Sequence, residues 1–210
     1  MAGRQHQVDS PGELSARQFA LRDGQRRAFV AAAALGAIAF AVMGWFSSLG
    51  AIIVRGELGI TSYFVAALAP FTVFAASAVA QMALGRVDRS RTLIIGAVLY
   101  PAGLVLTAVA IYRPTLWVLL VGAALSGAGA GLLFKSAVAE TVIAAQPASR
   151  AGVLAVFFVI AYLGMGLPSI GFSVLIQHVA LLPSMIGLAT VLSAGAIVAA
   201  LTASADQQRR

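Results

Sequence analysis

The chain is 210 residues long, 60% hydrophobic and only 10% charged, with a formal net charge of +7 and a mean hydropathy of +0.95. Soluble domains carry about 25% charged residues, so this composition cannot supply a water-facing surface for a domain of this size. Cysteine and asparagine are absent and the two histidines, His6 and His178, lie far apart, which excludes disulfides, thiolate sites, thiol catalysis and His-rich metal spacing.

In chain order, residues 1–27 form a polar leader with five arginines, three acids and Pro11-Gly12. It reads as a flexible segment or linker, in which Leu14, Gln18 and Leu21 hint at a short amphipathic piece. The first neutral run, from Arg27 to Arg55, exceeds the apolar core of about 7–15 residues found in signal peptides. Further neutral runs follow from Glu57 to Arg86, Arg91 to Arg113, Arg113 to Lys135 and Arg150 to Asp206. A bilayer core needs about 20 helical residues, and the last run is long enough for two spans, divided at Gln177-His178 and Pro183. The chain is thus predicted to be an all-α integral membrane protein, a six-transmembrane-helix bundle with spans near 28–54, 59–85, 92–112, 115–143, 151–176 and 181–204, and a tail at 205–210.

Six spans put both termini on one side. That side carries all of the 14 basic residues except Arg55 and Arg113. Because cytoplasmic loops carry the Lys/Arg excess, both termini are expected to be cytoplasmic. Topology therefore accounts for the positive charge, and nucleic acid is not an expected partner.

Small residues run through the spans, above all Gly122, Ser126, Gly127, Gly129 and Gly131 in the fourth, a spacing that lets helix backbones approach closely. Pro70, Pro101 and Pro168 sit near the centres of the second, third and fifth spans and predict bent helices. Two stripes stand out: Gly36, Phe40, Gly44, Ser47 and Ser48 in the first span, beside Trp45 and Phe46, and Gly127, Gly131, Phe134 and Lys135 in the fourth. Each stripe suits either a pocket for an amphiphilic molecule or a helix–helix contact.

Lys135 and Glu140 are the ionisable residues within the spans, both toward the cytoplasmic end of the fourth. Their five-residue spacing sets them about 140° apart on a helix, so Glu140 is expected to meet Arg89, Arg91 or Arg150 instead. No carboxylate lies near a span's midplane, so a proton relay within this chain is not expected. No nucleophile elbow, dinucleotide turn or phosphate loop occurs, and no enzymatic activity, cofactor or metal is predicted.

Arg26-Arg27-Ala28-Phe29 entering a helix that ends Gly44-Trp45-Phe46-Ser47-Ser48-Leu49-Gly50 resembles the seventh helix of major facilitator superfamily transporters. Gly127-Ala128-Gly129-Ala130-Gly131 through Lys135 to Ala145-Gln146-Pro147-Ala148-Ser149-Arg150 is similar to the tenth. Phe157-Phe158-Val159-Ile160-Ala161-Tyr162-Leu163-Gly164 with Pro168-Ser169-Ile170-Gly171 is similar to the eleventh. The loop Gly85-Arg86-Val87-Asp88-Arg89-Ser90-Arg91 resembles a degenerate copy of the family's signature loop. Pro168-x-x-Gly171 keeps only part of the antiporter signature, so it gives no exchange direction.

The resemblance implies a carboxy-terminal six-helix half with 3+3 inverted repeats, in a bacterial cytoplasmic membrane, its leader similar to the linker between halves. It implies a first and fourth helix lining a central cavity, a second and fifth forming the interface that rocks, and a peripheral third and sixth. Phe40, Gly44, Trp45, Ser47, Ser48, Gly127, Gly131, Phe134, Lys135 and Tyr162 are then the cavity candidates, and Asp88, Arg89, Arg91 and Glu140 the cytoplasmic gate candidates. The expected function is transport of a small organic solute by alternating access, together with a second half that is either another copy or a separate chain. The alternative is a membrane interaction module, or an inactive fragment, that does not transport.

Overall fold

The computed structural model describes residues 19–208 and is all-helical, with six helices long and apolar enough to cross a bilayer. They are α1 (Arg26–Gly56), α2 (Tyr63–Ala83), α3 (Arg89–Tyr112), α4 (Leu116–Ala144), α5 (Arg150–Leu175) and α6 (Leu181–Gln208), with one 3-10 turn at Pro147–Ser149. The chain is a multi-pass membrane protein.

Two helices form the centre. In the most apolar stretch of each helix, 72% of residues are buried in α1 and 56% in α4, against 22% in both α2 and α5. α1 packs against α2, α4, α5 and α6, while α4 packs mainly against α1, α2 and α3, and α3 meets α6. Helices apolar all round have no polar face to give to water, so their outer faces suit lipid.

The boundaries follow local chemistry. α2 begins at Tyr63, later than the hydropathy predicted, because Ser62 caps it by accepting from the Val65 N–H. α3 begins earlier, at Arg89, because the Asp88 carboxylate accepts from the Ser90 N–H. Arg89 and Arg91 therefore stand on the first turn of α3. Pro70, Pro101 and Pro168 all lie inside continuous helices.

α4 approaches both neighbours at backbone distance. A Cβ on Gly127 or Gly131 would overlap the α2 backbone at Val73 and Ser77, and one on Gly122 would meet α3 at Thr107 and Gly103. Buried hydroxyls are satisfied within their own helices: Thr107, Ser126, Ser136 and Thr141 each donate to the carbonyl four residues earlier. Tyr100 instead crosses the bundle, its hydroxyl donating to the Ile38 carbonyl of α1 at 2.7 Å.

The end of the leader departs from the expected flexible linker. The Arg22 N–H donates to the Ala144 carbonyl and the Gln146 N–H to that of Ala20, both near 3 Å, forming an antiparallel bridge centred on Leu21 and Ala145. Phe19 packs edge-on against Phe29, ring centroids 5.6 Å apart. Hydrogen bonds thus hold Leu21 to the α4–α5 junction, and Phe19 rests on α1. Leu14 and Gln18 of the expected amphipathic piece lie outside the described residues. At the other end, α6 continues through Gln208, so most of the expected tail is helix.

Candidate functional site

Three cavity candidates on three different helices come together. The Phe40 ring of α1 lies 5.0 Å from Phe134 of α4 and 5.4 Å from Tyr162 of α5, centroid to centroid. Two rings not singled out as site residues complete the group. Phe157 lies 5.9 Å from Phe134, and Phe158 lies 6.0 Å from Phe134 and 6.5 Å from Tyr162. The signal was present in the sequence, since Phe158 precedes Tyr162 by four residues, one helical turn.

Phe157 is fully buried and anchors the cluster, Phe40 and Phe134 are half-buried, and Tyr162 is 60% exposed. The cluster is therefore an open aromatic face where α1, α4 and α5 meet. Ring pairs at these spacings add about 0.5–1.5 kcal/mol each beyond area burial, which holds the face in shape. It offers ring faces and edges to a ligand, with the Tyr162 hydroxyl as the polar group among the five rings.

The other cavity candidates are placed differently. Gly44 faces the Met165 backbone of α5, where a side chain would overlap it. Trp45 is buried with its ring edge-on to Phe46 and Phe172, and its indole N–H has no acceptor among the described residues. Gly127 and Gly131 are taken up by the contact with α2. These four make helix contacts: helical spacing marks a face, and the same small residues serve a seam as readily as a pocket. Ser47 and Ser48 are exposed, but their hydroxyls donate to the Met43 and Gly44 carbonyls, both at 2.8 Å.

Lys135 does not present its charge to the aromatic face. Its ammonium donates to the Leu84 carbonyl at 2.8 Å, where α2 ends. A cation there satisfies an orphan carbonyl and opposes the negative end of the helix dipole. Lys135 is a tether between α4 and the end of α2.

The gate candidates divide into a pair and two single residues. Arg89 and Glu140 form an ion pair between the start of α3 and the last turns of α4, with the Glu140 carboxylate nearly fully buried. Asp88 caps α3, and Arg91 is exposed with no partner among the described residues. No three His, Asp or Glu side chains come together among the described residues.

No protein-family model matches this chain, and no curated protein matches it.

Proposed function

We propose that the bundle is one half of an alternating-access transporter for a small organic solute, of the major facilitator type that its motifs resemble. The observation that carries this reading is one matched pair of contacts: α1 packs on α5 as extensively as α4 packs on α2, although α4 meets α3 far more extensively than α1 meets α6. Such a match is what 3+3 inverted repeats would give for those two pairs. In this reading the aromatic face of Phe40, Phe134, Phe158 and Tyr162 contacts the solute. The sparsely buried α2 and α5 meet the second half, with Gly166 and Gly171 of α5 leaving open space for a close neighbour. The bundle sits in a bacterial cytoplasmic membrane with both termini cytoplasmic, as the Lys/Arg asymmetry favours.

The test is uptake of a panel of flat aromatic solutes by proteoliposomes holding the chain alone, with crosslinking to report its assembly. Saturable uptake that Tyr162→Ala and Phe40→Ala reduce at least tenfold, from a crosslinked dimer, supports a self-paired transporter. A strictly monomeric chain that neither binds nor moves any solute rejects self-sufficient transport and leaves the interaction module as the better account.

A further inference from the structure

Away from the aromatic face, α1 and α6 flank an open cleft of about 1050 Å³ beside Gly24 of the leader. Arg26 and Arg27 stand at its mouth, at the first turn of α1. Both are exposed, and neither has a carboxylate partner among the described residues. Below them the walls are mostly apolar, with Val30, Ala34 and Ile38 on α1 and Gly195 and Val198 on α6, while the Thr202 hydroxyl is taken up by the Ala199 carbonyl. Gly195 contributes no side chain, and a Cβ there would crowd Ile38 at the cleft floor.

The dimensions and chemistry select the occupant. Ile38 lies three turns below Arg27, about 16 Å along the helix axis, and one leaflet of a hydrocarbon core about 30 Å thick spans about 15 Å. The cleft thus runs from the headgroup level to the midplane, cationic at the top and greasy below. Basic pockets between transmembrane helices at the membrane surface are the kind that hold anionic headgroups. We infer that this cleft binds an anionic phospholipid, its phosphate on the Arg26 and Arg27 guanidinium groups and an acyl chain along the α1–α6 wall. Asp23 is exposed and outside the cleft lining, and Asp206 follows one helical turn after Thr202 on α6, beyond the lining residues. The site does not depend on whether the bundle transports.

The experiment is native mass spectrometry of the full chain in detergent, with equimolar phosphatidylglycerol and phosphatidylcholine of matched acyl chains. Two surface arginines give a preference for the anionic lipid of about tenfold or more. Arg26→Gln with Arg27→Gln brings retention to parity, while Arg26→Lys with Arg27→Lys keeps the preference. Arg150→Gln, an exposed arginine outside the cleft, also keeps it. Ala34→Phe fills the wall and reduces retention of the lipid with both arginines intact. Millimolar inorganic phosphate leaves the adduct in place, which distinguishes a lipid site from a phosphate site. Equal retention of the two lipids by the unsubstituted chain, an equal loss in Arg150→Gln, or displacement by phosphate alone overturns the assignment.

Discussion

Arg89 and Glu140 are unequal partners. The Glu140 side chain is 4% exposed and that of Arg89 is 23% exposed. Removing the arginine takes the opposite charge from a buried carboxylate, whereas removing the carboxylate leaves a long cation that reaches the interface. Arg89→Ala is therefore expected to destabilise the bundle by about 3 kcal/mol and Glu140→Gln by about 1 kcal/mol, with Arg89→Met/Glu140→Leu recovering most of the loss. Thermal unfolding in detergent checks this, and equal losses from the two single changes would contradict it. The pair was legible in part: the 140° offset on α4 separated Glu140 from Lys135 and pointed to three arginines. Only the start of α3 at Arg89, set by the Asp88 cap, brings that one within reach. For Lys135 the spacing left its partner open, because no sequence pattern reveals that the carbonyl of Leu84, the cap of α2, stands beside it.

Between elements, glycine decides how near two helices come. Gly127 lies against the α2 backbone, while Gly166 has nothing within 4 Å. Gly127→Leu is expected to force α2 away and cost about 3 kcal/mol, the upper end for overpacking. Gly166→Leu leaves the isolated bundle within about 0.5 kcal/mol, as for surface substitutions elsewhere. Comparing the two by unfolding in detergent separates seams used within the bundle from the face left open. If Gly166→Leu abolishes crosslinking between copies while leaving the melting temperature unchanged, α5 is the face that meets the second half. The Gly127-xxx-Gly131 spacing announced close approach, but not toward which neighbour. Periodicity places residues on a common stripe, and the partner is chosen by how the other helices turn and pack.

Across the whole molecule, the bridge between Leu21 and Ala145 ties the entry to α1 to the α4–α5 junction. The flanking hydrogen bonds make the two residues a non-hydrogen-bonded antiparallel pair, with Cα atoms about 4.5 Å apart, a separation that a disulfide accommodates. The chain has no native cysteine, so Leu21→Cys/Ala145→Cys gives a clean background. It is expected to form an intramolecular disulfide under mild oxidation, read as a faster-migrating band that reductant reverses. Leu21→Cys/Thr115→Cys serves as the distant control, Thr115 lying at the opposite end of α4. Equal yields from both pairs would show that the leader is loose at this point.

Composition, charge-bounded neutral runs and the placement of basic residues determined six apolar spans and their order, because a bilayer imposes length and hydropathy on each helix separately. Those constraints are local, and a single sequence carries them in full. The tertiary structure alone decided that the glycines of the stripes lie in seams, that five rings from three helices share one face, that Lys135 caps the end of α2, and that Leu21 is fastened to the α4–α5 junction. Each of these depends on the rotation of one helix about its axis relative to another. In helices apolar on every side, hydropathy leaves that rotation open and side-chain packing sets it.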